Sequence, residues 1–145
     1  MKIEYNGYEI EVIMLCVSGS RLYGNSTDDS DYDYRGIFIA DKVTKLGLIG
    51  RVEQISDPNF FQELDKKYNL GLKDFSDCLI FELNRFVQLC ADANPNIFDI
   101  LCTPTDKCLY INDKGKELVN NRNLFLSSKL KFTFSGYAIS QLTKI

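Results

Sequence analysis

Val12-Ile13-Met14-Leu15-Cys16-Val17 runs into Ser18-Gly19-Ser20-Arg21-Leu22-Tyr23-Gly24, and a few residues on stands Ser30-Asp31-Tyr32-Asp33-Tyr34-Arg35-Gly36. The first six residues are continuously apolar, which predicts a central strand buried on both faces. That strand ends in Gly-Ser. Glycine takes backbone angles other residues resist and lets a ligand approach the main chain closely. Consecutive N–H groups at such a turn, beside a helix start, form an anion site, and the Ser20 hydroxyl adds a donor. A short helical or looped piece over residues 21–25 and a polar, turn-forming stretch over 26–30 follow. Residues 32–40 then alternate and read as a second strand.

Ten residues separate Ser20 from Asp31, enough for a short helix and a return loop. Asp31 and Asp33 stand at i and i+2 on the predicted strand, so their carboxylates project from the same face, with Tyr32 and Tyr34 opposite. Two carboxylates roughly 6.5–7 Å apart along a strand call for a cation. Mg²⁺ suits them, because it takes a few carboxylates and leaves room for substrate phosphates. A phosphate cradle facing a paired-carboxylate metal site is what in-line nucleotidyl transfer requires. Asp29-x-Asp31-x-Asp33 also mimics the start of an EF-hand loop. Its sixth position is Tyr34 rather than glycine and its twelfth is Ala40 rather than glutamate, which excludes calcium of that kind.

Outward from this stretch, Asn6-Gly7 between residues 3–5 and 8–10 is a type I′ hairpin signal. Residues 41–56 are ambiguous. Residues 58–68 read as a short helix, and a third strand is expected over 72–76. Leu79, Leu83, Phe86, Val87 and Cys90 recur at helical spacing, which predicts an amphipathic helix over 79–92. Asn94-Pro95 reads as an N-cap followed by proline at the first helical position, opening a second helix. A strand over 108–111 and helices over 113–122 and 129–144 complete the pattern. The last helix is still running at Ile145, which predicts an incomplete C-terminal helical region.

The chain has 145 residues, which favours one domain. Folding would bury about two-thirds of its surface, enough for a core without staples. There is no histidine, which removes Ser-His-Asp and Cys-His catalysis and His-containing zinc sites. Acid–base and metal chemistry must therefore run mainly on carboxylates. The five cysteines, Cys16, Cys78, Cys90, Cys102 and Cys108, are odd in number and have no CxxC spacing. They read as reduced core thiols in a cytoplasmic protein. No apolar run is long enough for a membrane span. Net charge is −8 over residues 1–106 and +5 over 107–145. The overall acidity argues against a long duplex partner. The basic tail reads as well as a solvated helix face as it does a surface for an anion, and Lys129 and Lys131 read as a solvated helix face rather than a triphosphate clamp.

Gly19-Ser20, ten intervening residues and Asp31-Tyr32-Asp33 resemble the nucleotidyltransferase superfamily of DNA polymerase beta. Leu22-Tyr23-Gly24, Asp33-Tyr34-Arg35-Gly36 and Asn94-Pro95-Asn96-Ile97 are most similar to its RlaP branch, found in bacteria and phages and linked to RNA repair. Gly136-Tyr137-Ala138 is a weaker echo. Ser18 departs from the apolar residue usual before the glycine. The resemblance implies an α/β (mixed-sheet α+β) nucleotidyltransferase core spanning residues 1–145, with a mixed β-sheet packed against helices. It implies that Gly19 and Ser20 hold the β/γ phosphates of an NTP (ATP favoured), with Arg21 and Arg35 as phosphate or structural partners. Asp31 and Asp33 would bind Mg²⁺ or Mn²⁺, joined by a third carboxylate, Asp77 or alternatively Asp74, which helps activate the acceptor. Asp77 reads equally well as a helix N-cap, and Asp99 reads as a surface residue. The expected activity is transfer of an NMP to an acceptor hydroxyl, with release of pyrophosphate. The acceptor is open among an RNA end, a tRNA, a protein hydroxyl and a small molecule. The competing expectation is a nucleotide-binding or interaction module of the same fold without turnover.

Overall fold

Asn6 and Gly7 both adopt positive φ, 52° and 82°, the geometry of a two-residue turn that joins two strands without splaying them. They connect β1 (Lys2–Tyr5) to β2 (Tyr8–Ser18) in a computed structural model that describes residues 1–46 and 51–143. β2 is the long buried strand that the apolar run predicts. Its register shifts between Val12 and Met14, as a bulge does. Ile10, Val12 and Leu15 consequently enter the core on one face of the sheet. Ile13, Met14 and Cys16 enter the core on the other.

β2 leads directly into α1 (Gly19–Tyr23), and β3 (Asp33–Ala40) returns antiparallel to β2. Next come α2 (Lys42–Leu46), β4 (Gln54–Ile55) and α3 (Pro58–Tyr68). This segment makes the crossover that parallel neighbours require, because β5 (Asp77–Glu82) lies parallel to β3. α3 starts at Asp57, whose carboxylate accepts from Asn59 N at 3.0 Å, and it buries Phe60, Phe61 and Leu64 in the first core. α4 (Leu83–Ala91), α5 (Pro95–Leu101) and α6 (Asp113–Asn120) cover the second face through Phe86, Ile97, Leu101 and Val119. Between α5 and α6, β6 (Cys108–Ile111) pairs with β2 farther along the edge that β1 occupies. The strand order is β1-β2-β3-β5-β4. α7 (Lys129–Leu142) rests on α5, with Phe134 edge-on to Phe98 at 6.4 Å between ring centres. The fold is thus a mixed sheet between helical layers, as expected. Residues 47–50, inside the ambiguous stretch 41–56, and residues 144–145, where the last predicted helix runs off, lie outside the described residues.

Three expectations are corrected. Residues 72–76 are not a strand; the third long strand is β5, and the helix expected from residue 79 starts at Leu83. The stripe Leu79, Leu83, Phe86, Val87, Cys90 fits a helical period although its first member lies in a strand, because a short apolar run reads alike in either element. The boundary is set at Glu82, whose carboxylate accepts from Asn84 N at 2.7 Å and caps α4. Asp77, at the first position of β5, is therefore no N-cap. Finally, Cys102 is exposed and Cys108 half-buried, so only Cys16, Cys78 and Cys90 are core thiols.

Glu11 ties β2 to α6. Its Oε2 lies 2.6 Å from Lys114 Nζ, and Oε1 accepts from Asn112 Nδ2 at 3.0 Å. The hydrogen bond from Lys114 holds the Glu11 carboxyl below its usual range. Such a group adds stability above the unfolded-state pKa, about 4.3, and that stability is lost as pH falls through the lower folded value. Glu11→Gln is expected to lower stability at pH 7 by up to about 1 kcal/mol, since the pair is partly solvated. The difference from wild type in thermal melts should close below about pH 4. A difference that stays constant from pH 7 to pH 3 would contradict this role.

Candidate active site

Three strand ends meet side by side. Ser18, the last residue of β2, stands opposite Asp33, the first residue of β3. Asp33 in turn lies beside Asp77, the first residue of β5. Register, not proximity in sequence, thus brings two carboxylates together. In-register neighbours on adjacent strands share a face, and each carboxyl acts on the ionisation of the other. Burial first, then the hydrogen bond to Asp77 and its charge, push the Asp33 carboxyl above its ordinary value. The Asp33 hydrogen bond first, then Arg35, hold Asp77 below its own. Of the two, Asp33 is thus the carboxyl that gives up its proton less readily.

The turn after β2 closes directly on this pair. Gly19 has φ +64°, and a Cβ there would fall 2.0 Å from Asp33 Oδ2. Only glycine permits this approach. Ser20 follows in the first turn of α1, beyond the residues that line the cleft next to the pair.

Arg35 is bound on the same face. Its Nη2 donates to Asp77 Oδ1 at 2.7 Å, and its Nη1 donates to Asp77 O at 2.9 Å and to Tyr34 O at 3.0 Å. Arg21 turns away from the pair. Its guanidinium donates to Ser30 O and Asp31 O and lies 3.7 Å over the Tyr32 ring. It thereby fixes the loop that returns to β3. Asp31 precedes the strand rather than belonging to it, is exposed, and affects Asp33 only through its charge. Asp74 accepts from Ser76 N and Ser76 Oγ, both at 2.9 Å, in a turn of its own. Of the two alternatives for the third carboxylate, Asp77 is the one placed beside Asp33.

The pair opens into a cleft of about 670 Å³. Leu79 and Phe81 of β5 and Ile97 and Ile100 of α5 supply apolar walls. Asn94, Arg85 and Tyr137 add polar groups from α4, α5 and α7 and their junctions. Asp99 is half-buried in this wall, beside Tyr23, rather than a plain surface residue. The sequence marks Asn94 as an N-cap, family resemblance marks Tyr23 and Tyr137, and neither marks Arg85. Arg85 is a charged residue just before Phe86 in an amphipathic helix, a pattern shared by any solvated helix edge.

Among the described residues, no three acidic or thiol side chains are drawn together into a ready-made metal cluster. Asp33 and Asp77 nevertheless fit a divalent ion. Their donor set is all oxygen, they share a face, and both line the cleft together with Gly19. Mg²⁺ is bound by one or two carboxylates together with substrate phosphates.

A strand-turn-helix closed by glycine against paired carboxylates, on a mixed sheet at the mouth of an open cleft, defines a nucleotidyltransferase-like protein. The chain belongs to RlaP, the RNA repair pathway DNA polymerase beta family, which it matches over residues 2–145. It is similar to the uncharacterized 38.9 kDa protein in the nrdC-mobD intergenic region of Enterobacteria phage T4, with 32% identity over 128 residues, 87% of this chain. The chain spans 36% of the length of that relative. No solved structure matches it. No helix among the described residues is long and apolar enough to cross a membrane.

Proposed function

We propose that this protein moves an NMP from an NTP, ATP for preference, to an acceptor hydroxyl and releases pyrophosphate. The observation that carries the reading is the contact of the Gly19 turn with Asp33 beside Asp77. Backbone N–H groups after Gly19, with the Ser20 hydroxyl, receive the terminal phosphates. Asp33 and Asp77 would hold Mg²⁺ or Mn²⁺, with Asp31 approaching from its loop. The cation would neutralise the triphosphate and stabilise the charge developing on the leaving pyrophosphate. An Asp carboxylate of the pair accepts the proton of the acceptor hydroxyl, and Arg35 keeps Asp77 in place while it does so. An RNA end is the acceptor that agrees with the description of the family. Five unpaired cysteines agree with a reducing, cytoplasmic setting.

The test is pyrophosphate release from each of the four NTPs, with Mg²⁺ or Mn²⁺ and an RNA oligonucleotide. Wild type should release pyrophosphate only when cation and NTP are both present. Absence of release with every NTP and both cations, under conditions where Mg·ATP binds, would favour the non-catalytic module instead.

A further inference from the structure

The three arginines near the cleft are not equivalent. Arg21 and Arg35 are held by backbone carbonyls and, for Arg35, by Asp77. Arg85 also lines the cleft. Among the described residues its one ionic partner is the exposed Glu53, 3.6 Å from Nε, and its terminal nitrogens have no hydrogen bond. The open fork of an arginine matches the paired oxygens of a phosphate.

Position narrows which phosphate this is. The NTP cradle proposed above lies at Gly19, in contact with Asp33. Along β5, Phe81 is four residues from Asp77, roughly 13 Å away, and Arg85 lies in the first turn of the helix that follows. The wall between these two ends is apolar, with Leu79, Phe81 and Leu89. The cleft thus offers carboxylates at one end, a surface for a sugar and base in the middle, and at the other end a guanidinium whose only ionic partner among the described residues is Glu53 at 3.6 Å.

The geometry points to Arg85 as the residue that grips a backbone phosphate of a single-stranded oligonucleotide acceptor, upstream of the hydroxyl presented to Asp33 and Asp77. This rests on the transfer reading for the direction of the strand, but it is tested without turnover. Fluorescence anisotropy with a labelled ten-nucleotide oligouridylate, no NTP present, would compare wild type, Arg85→Lys and Arg85→Gln. Arg85 is partly exposed and has one weak partner, so the variants should fold, as circular dichroism would verify.

Arg85→Gln is expected to weaken binding about tenfold and to lower the slope of log affinity against log salt by about 0.7, the loss of one phosphate contact. Arg85→Lys should restore part of the affinity and most of the salt slope. Affinity for Mg·ATP, measured by calorimetry, should be unchanged in both variants. Equal affinity and equal slope in wild type and Arg85→Gln would overturn the assignment, as would failure of wild type to bind the oligonucleotide. A loss confined to Mg·ATP would overturn it as well and place Arg85 on the NTP. Failure of the transfer reading is separate, because it shows as absent pyrophosphate release in wild type.

Discussion

Replacing Asp33 with asparagine is expected to reduce nucleotidyl transfer about 10³-fold, a loss of roughly 4 kcal/mol of transition-state stabilisation. Asp33 is the residue on which the site converges. It faces Asp77 in register, Ser18 across the other ladder, and the Gly19 turn. Asparagine preserves its size but removes the anion that would hold a cation. The fold should not suffer. The substitution removes one of two facing acids, one of which is held above its ordinary pKa by burial and by its neighbour. Thermal melts of Asp33→Asn should therefore match or exceed those of wild type at pH 7. Lost turnover with unchanged or raised stability marks a functional group, whereas a parallel loss of both would mark Asp33 as structural.

Gly19→Ala is expected to damage both turnover and stability, and Gly24→Ala only stability. Both glycines have positive φ, +64° and +72°, where an added side chain costs about 1–2 kcal/mol. In a chain of this size that lowers the melting temperature by roughly 2–8 °C. They differ in their surroundings. A Cβ at Gly24 meets nothing within 4 Å, whereas one at Gly19 falls 2.0 Å from Asp33 Oδ2 and 3.1 Å from Asp33 Cγ. Alanine at 19 must displace the carboxylate, so turnover should drop about 100-fold, given the sensitivity of catalysis to misplacement near 1 Å. Comparable kcat/KM for the two variants would show that the turn does not support Asp33.

Legibility in the sequence followed the range of the interactions. The Asn6-Gly7 hairpin, the Pro58 and Pro95 helix starts and the buried run into Gly19 are set by neighbours a few residues away, and each is where the sequence predicts it. β5 is hidden in the sequence because Leu79 to Phe81 satisfies strand and helix patterns alike, and only pairing with β3 decides between them. The same pairing explains the site. Asp31 and Asp33 look equivalent by spacing, yet the strand starts at Asp33 and the close partner is Asp77, forty-four residues on. Asp77 follows from family resemblance, not from local pattern. The resemblance leaves Arg21 and Arg35 open between phosphate and structural partners, and Arg85 carries no signal in the sequence. Arg21 stacks on Tyr32 and Arg85 faces the cleft, and nothing local separates a guanidinium that braces a loop from one that awaits a ligand.

The most direct test is the structure of the wild-type protein crystallised with Mg²⁺ and a non-hydrolysable ATP analogue. A cation between the carboxylates of Asp33 and Asp77, with the triphosphate against the backbone of Gly19 and Ser20, is the predicted result. A nucleotide bound elsewhere, or one seated in the cleft while Asp33 and Asp77 bind no cation, would contradict it.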